Sequence, residues 1–225
     1  ISRIRQAERQ REETLRFISH DMRAPQSSIL ALVEMTQDGA APGGQVDALG
    51  RIAALANRTL QLVDDFVHLT RAESMAISAV DLDLGSLLQD GVDEFWAAAH
   101  KRDIALEVVP PLPVAYVRGD QTLLMRALSN LIDNAIKYSP PQTRITCGID
   151  AAQGFWRVQI RDQGQGIAPQ DLARLFEPFS RVGVATRGDV GGAGLGLAFV
   201  RTVAQRHGGE VEVTSEAGVG SVFTL

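Results

Sequence analysis

The chain has 225 residues, 45% of them hydrophobic and 22% charged, with a formal net charge of -5. That balance is ordinary for a globular protein, and the acidic excess argues against a nucleic-acid partner, which would favour a basic surface. No apolar run approaches the ~18 residues needed to span a bilayer, and the single cysteine, Cys147, cannot form an internal disulfide. The length exceeds the usual size of one domain, so two are expected.

The first third is helical and poor in glycine until the turn Asp38-Gly-Ala-Ala-Pro-Gly-Gly44. Leu15, Ile18, Met22, Pro25, Ile29 and Leu32 form one apolar row before that turn. After it, Val46, Leu49, Ala53, Ala56, Leu60, Val63, Val67 and Thr70 recur at three- and four-residue steps. Ile52, Leu55, Thr59, Leu62, Phe66 and Leu69 run beside them. Two rows imply a helix buried on two sides, more than a lone hairpin can cover. The expected architecture is a homodimer whose antiparallel hairpins pair as a four-helix bundle. His20 lies off the first row, on the outward face, with Pro25 expected to bend the helix just beyond it.

The pattern breaks from about Met75 to Leu82, which reads as a linker. Beyond it, strands are expected at Ile104–Val109, Val114–Val117, Arg144–Ile149, Phe155–Arg161, Glu210–Thr214 and Ser221–Thr224. Helices are expected at Leu84–His100, Gln121–Ile136, Pro169–Leu175 and Gly194–Arg206. The whole is α+β: a helical hairpin, then an α/β sandwich with one mixed sheet and helices on one face.

The helix from Gln121 carries Leu124, Leu128, Leu131 and Ala135 on its buried side and Arg126, Asn130, Asp133, Asn134 and Lys137 toward the other. By itself that is a solvated face. Two Asn at i and i+4 are unusual there, because Asn has poor helix propensity. Their amide oxygens suit Mg²⁺, a hard ion that shares its shell with phosphate oxygens, and Lys137 offers a point charge to those phosphates. Asp162-Gln-Gly-Gln-Gly166 is a strand-to-helix turn whose carboxylate can accept from an exocyclic amine such as that of adenine. Gly192-Ala-Gly-Leu-Gly196 opens a helix, where glycine lets a phosphate approach free amide donors or lets a helix pack closely on a sheet. Between the two glycine clusters, Ser180 to Val190 has little apolar content and reads as a mobile lid. His20 stands beside Asp21, a carboxylate able to orient the ring and take its proton, leaving the other nitrogen free to attack. His68 and His207 read as structural, His100 as a helix-end residue and Cys147 as core.

In this order the motifs resemble those of a sensor histidine kinase of a two-component system. Phe17-Ile-Ser-His-Asp-Met-Arg-Ala-Pro25 is similar to the family's H box and Asn130-Leu-Ile-Asp-Asn-Ala-Ile-Lys-Tyr138 to its N box. Asp162–Gly166 resembles the G1 box, Phe176-Glu-Pro-Phe179 the F box and Gly192–Gly196 the G2 box. The resemblance implies a dimerisation and phosphoacceptor hairpin over 1–75, a linker over 76–82 and an ATP-binding domain of the Bergerat type over 83–225. His20 would accept the γ-phosphoryl group of ATP with Asp21 as base, and then pass it to an Asp of a response regulator receiver domain. Asn134 would bind Mg²⁺ and Asp162 would recognise adenine. The nucleotide site would comprise Asn130, Asn134, Lys137, Tyr138, Asp162, Gly164, Gly166, Ile167, Phe179, Gly192, Gly194, Leu195 and Gly196. The chain would be the cytoplasmic portion of a membrane-anchored bacterial sensor, its sensor module lying upstream. Two other readings differ in class: a scaffold that binds nucleotide without turnover, and an ATPase of the same nucleotide fold. All the polar residues of the motifs are present, against the scaffold, and His20-Asp21 ahead of the nucleotide domain speaks against the ATPase.

The fourth residue after His20 is Ala24, where many members of the family carry Thr or Asn tied to dephosphorylation of the regulator. Weak phosphatase activity is therefore expected, since Ala cannot orient a hydrolytic water. Rapid loss of phosphate from a phosphorylated regulator on adding the nucleotide-free protein would contradict this.

Overall fold

The structure is a computed structural model that describes residues 22–38, 44–110, 113–180 and 194–225. The chain divides into two compact units between Val67 and His68. His20, Asp21 and Gly192 lie outside the described residues, as do Leu15, Ile18 and most of the stretch read as a lid.

The first unit holds helix α1 (22–37) and most of helix α2 (Gly44–Ser74). Hydroxyls at Ser28, Thr36 and Thr59 donate to the carbonyls four residues earlier, at Ala24, Leu32 and Leu55. This local pairing keeps polar side chains compatible with a helix interior. Ala48 and Leu62 are buried, whereas Leu30, Val46, Leu49 and Leu60 are between 58% and 86% exposed. Those exposed side chains belong to helices with apolar rows, as a bundle awaiting further helices would present.

In the second unit, helix α3 (Leu84–Lys101) is started by Asp83, whose carboxylate accepts from the backbone of Gly85 at 3.1 Å and Ser86 at 3.4 Å. The same carboxylate accepts the Ala115 N–H at 2.9 Å. These bonds, led by the one from Ala115, hold its pKa below the usual range. Asp83 closes strand β1 (Val80–Asp83), which pairs antiparallel with β3 (Tyr116–Gly119). Val80–Asp83 falls largely in the stretch read as a linker: Val-Asp-Leu-Asp does alternate apolar and acidic residues, but four residues are too few for that period to stand out.

The main sheet has five strands in the order β2-β4-β5-β7-β6. They are β2 (Ile104–Val108), β4 (Thr143–Ala152), β5 (Phe155–Arg161), β6 (Glu212–Glu216) and β7 (Gly220–Thr224). Only the β2–β4 pair is parallel, so the sheet is mixed, as expected. Ile104, Leu106, Ile145, Cys147, Val158, Ile160 and Phe223 bury one face. The other face carries Arg144 beside Glu107 and a two-point pair of Arg157 with Asp150. Burial pushes the Cys147 thiol up to about 12, in keeping with an inert core residue.

Helices α3, α4 (Gln121–Tyr138) and α6 (Gly196–Arg206) cover the apolar face, α4 packing against both of the others and against β5. Pro169 opens the one-turn helix α5 (Pro169–Leu172), shorter than the helix expected to Leu175. At the far end of α6, His207 receives the Asp120 N–H on Nε2 at 3.0 Å, while Nδ1 lies 2.8 Å from the Val203 carbonyl. The ring is thereby fixed as a structural link, as the sequence suggested. Arg206 donates to the Ala72 carbonyl, tying the last turn of α2 to this unit.

Leu131 is fully buried at the centre of α4. Leu131→Ala is expected to destabilise the second unit by about 2–5 kcal/mol. Denaturant unfolding checks it, with exposed Gln121→Ala as a control changing stability by less than about 0.5 kcal/mol.

Candidate nucleotide site

Helix α4 sorts its residues as its period demands: Leu124, Ala127, Leu128, Leu131, Ile132 and Ala135 are at most 7% exposed. Asn130, Asn134, Lys137 and Tyr138 are left on the accessible side. Lys137 is held by Asp133, one turn earlier, at 2.5 Å, and both side chains remain more than a third exposed. An exposed pair of this kind is worth a few tenths of a kcal/mol, small enough for a phosphate to compete for the lysine. The Asn134 side chain makes no hydrogen bond among the described residues.

Two clusters gather along this helix. At mid-helix, Asn130 Nδ2 donates to the Gly196 carbonyl at 3.4 Å, joining α4 to the start of α6. Leu195, just before that start, is fully buried. The Gly194 carbonyl accepts the Phe179 N–H at 2.9 Å. Gly194 has φ +70° and a side chain there would strike the Phe179 and Ser180 backbone. Only glycine closes this junction, and the motif ending at Phe179 is thus bound to the motif that opens α6.

The second cluster lies at the C-terminal end of α4. Asp162 is only 7% exposed. Its Oδ1 accepts two backbone bonds, from Gly164 at 2.8 Å and from Ser221 at 3.2 Å. Its Oδ2 makes no hydrogen bond among the described residues. A Cβ on Gly164 would lie 2.7 Å from the Tyr138 carbonyl and 2.8 Å from Asp162 Oδ1, so the end of α4 and the carboxylate converge there. Gly166, at φ +67°, seats the rest of the turn against the Glu216 backbone, where a Cβ would be only 1.9 Å from a carbonyl oxygen. The Ile167 N–H donates to Ser215 Oγ at 2.8 Å, which fixes the turn on β6.

The clusters are eight residues apart on one helix, roughly 12 Å at 1.5 Å per residue. That is the scale of an extended nucleotide, with a buried acceptor at one end and amide donors beside the Asn130–Gly196 junction at the other. Asn134, on the accessible side of α4, carries an amide oxygen of the kind a hard cation takes. No group of three or more acidic, histidine or cysteine side chains able to hold a metal occurs among the described residues. Of the residues expected from sequence, Asn130, Phe179, Gly194, Leu195 and Gly196 are brought together, and so are Tyr138, Asp162, Gly164, Gly166 and Ile167. His20, Asp21 and Gly192 fall outside the described residues.

Sequence reasoning missed Ser221, Ser215 and Ser139. A signal existed for Ser221, a polar residue in register with Phe223 on the buried face of β7. Ser139, just past the helix end, carried none.

Burial raises the Asp162 pKa, and the Gly164 and Ser221 N–H bonds oppose that rise. A folded pKa above the unfolded one means the ionised form is penalised in the fold. Stability then falls as pH rises from the unfolded value to the raised folded value, and stays lowered above it. Asp162→Asn keeps the Oδ1 acceptor and removes the charge. It is expected to raise the melting temperature of the nucleotide-free protein at pH 7, by an amount that shrinks as pH is lowered through the carboxylate range. A lower melting temperature at pH 7 would contradict this account.

Comparison with known proteins agrees with these motifs. Residues 10–74 match the family described as His Kinase A (phospho-acceptor) domain, and residues 119–225 match Histidine kinase-, DNA gyrase B-, and HSP90-like ATPase. The chain is 33% identical over 219 residues to the sensor-like histidine kinase SenX3 of Mycobacterium tuberculosis, covering 96% of this chain and 53% of that protein. It is 31% identical over 232 residues to the phosphate regulon sensor protein PhoR of Pseudomonas aeruginosa, covering 100% and 51%. The chain thus spans about half the length of these curated relatives. Among solved structures, the mycobacterial sensor histidine kinase MprB matches with 31% identity and a TM-score of 0.56, over 65% of this chain and 94% of that one. The Acinetobacter baumannii histidine kinase AdeS, at 24% identity, shares the fold with a TM-score of 0.70 over 91% and 95%. With both halves matched in order, the chain belongs to the sensor histidine kinases of two-component systems.

Proposed function

We propose that the chain is the ATP-dependent kinase core of a bacterial sensor, which phosphorylates itself on His20 and passes the phosphoryl group to an aspartate of a receiver domain. The observation that carries this is Asp162: a buried carboxylate with one oxygen engaged by two backbone donors and the other left to accept from an exocyclic amine. A purine lacking that amine would leave the carboxylate buried and unpaired, a costly mismatch. Residues 1–75 act as dimerisation and phosphoacceptor hairpin, 76–82 as linker and 83–225 as nucleotide domain. The exposed apolar side chains of α1 and α2 support a homodimer. The enzyme is placed on the cytoplasmic side of a membrane anchor and an upstream sensor. No helix among the described residues is itself long and apolar enough to cross a membrane.

In this reading a ring nitrogen of His20 attacks the γ-phosphorus of ATP while Asp21 takes the proton from the other ring nitrogen. A nitrogen–phosphorus bond forms, the bond to the β–γ bridging oxygen breaks, and ADP leaves. Lys137 exchanges Asp133 for a phosphate oxygen, and Asn134 would hold Mg²⁺, whose charge would offset that of the phosphates. Asn130 keeps the start of α6 close to the phosphates. Positioning and charge neutralisation are what such a transfer requires of a protein.

Incubation with γ-labelled ATP and Mg²⁺ tests this. The expected label is acid-labile and alkali-stable, disappears in His20→Gln and falls at least 100-fold in Asn134→Ala, and moves to a receiver domain when one is supplied. ATP binding without label would favour a scaffold. Hydrolysis without a phosphoprotein intermediate would favour an ATPase of the same fold.

A further inference from the structure

Strand β5 ends at Arg161 and gives way to the Asp162–Gly166 turn, while β4 and β7 run on beside it. Antiparallel strands exchange backbone bonds at alternate residues. On β5 the even-numbered residues face β7, since Val158 and Leu225 exchange both N–H···O bonds, at 2.8 and 2.9 Å. Carried one step past the Arg161–Val222 pair, that register sets Asp162 against Ser221. Carried two steps past Thr146–Arg161, the register with β4 sets Gln163 against Arg144.

At both places a side chain stands in for backbone that is leaving the sheet. The Asp162 N–H still donates to the Ser221 carbonyl at 2.9 Å, but the Ser221 N–H donates to Asp162 Oδ1 at 3.2 Å. On the β4 side, the Arg144 N–H donates to Gln163 Oε1 at 2.8 Å. Among the described residues this is the turn's one hydrogen bond to β4. Its other anchors lie on β6, β7 and the bend between them: the Ile167 N–H donates to Ser215 Oγ at 2.8 Å, and the Gln165 carbonyl accepts from Gly218 at 2.7 Å.

The peptide joining Gln163 to Gly164 carries the N–H that donates to Asp162 Oδ1 at 2.8 Å. Where Gln163 is held therefore decides where that donor sits, and through it how the carboxylate is turned. The Gln163–Arg144 bond is itself exposed, so water replaces a lost partner there at little cost in stability. What the bond supplies is alignment.

We infer that Gln163 is a positioning residue for base recognition. Its side chain closes the β4 ladder, lets the backbone leave the sheet directly after Asp162, and sets the angle at which Asp162 Oδ2 meets an exocyclic amine. Gln163 acts through the carboxylate and not through a contact of its own with the base. This inference rests on the adenine reading of Asp162 proposed above.

Calorimetric titration of the chain, Gln163→Met and Gln163→Glu with ATP and with purine riboside triphosphate, which lacks the amine, tests it. Met matches the reach of glutamine without a comparable acceptor, whereas Glu keeps an oxygen at the same distance. Gln163→Met is expected to weaken ATP binding about three- to tenfold, as one net hydrogen bond does, and to leave binding of the amine-free nucleotide unchanged. Gln163→Glu is expected to restore most of the affinity for ATP. Equal loss for both nucleotides, no loss for either, or a Glu variant as weak as the Met one would overturn the role of Gln163. If the parent binds the two nucleotides equally, the adenine reading itself fails and the role of Gln163 falls with it.

Discussion

The second unit depends on the one-sided burial of α4. Its apolar stripe, from Leu124 to Ile136, is packed against α3, α6 and the sheet, with each large side chain contributing about 1.5–3 kcal/mol. That burial leaves the helix no freedom to rotate. Asn130, Asn134, Lys137 and Tyr138 are consequently fixed on the opposite side, with only the Asn130–Gly196 bond and the Lys137–Asp133 pair among the described residues to hold them. The site is thus a by-product of the core: the helix is oriented by its leucines, and its chemistry is displayed by what remains.

Around that fixed helix, two glycine-rich turns are brought in by close backbone contact rather than by side-chain packing. Gly166 and Gly194 adopt left-handed conformations where a side chain would collide with backbone. The resulting surfaces are lined by peptide groups, which suit a ligand rich in phosphate oxygens and flat ring atoms. Asp162 is the exception, a charge admitted into this backbone-lined region because two N–H groups meet one of its oxygens. Its cost in the empty protein and its use with a base present have the same cause.

Much of this was legible in the sequence, for identifiable reasons. The heptad-like spacing of leucines placed α4 and its polar face within two residues, and Phe155–Arg161 matched its strand because alternation is clean there. The five boxes carried the family because each combines residue types that local structure alone does not demand. What escaped were features too short or too isolated to show a period. The ribbon of β1 with β3 is held by Asp83 reaching across to Ala115, a contact between residues 32 apart that no local pattern announces. Ser139 was invisible for another reason: serine is common just past a helix end, and only tertiary context makes its burial informative.

The most direct measurement is a crystal structure of the chain with a non-hydrolysable ATP analogue and Mg²⁺. The adenine amine is expected within hydrogen-bond distance of Asp162 Oδ2, the ion on the Asn134 amide oxygen, and the phosphates beside the Gly194–Gly196 backbone. A nucleotide seated away from Asp162, or with its phosphates at the Asp162 end of α4, would contradict this.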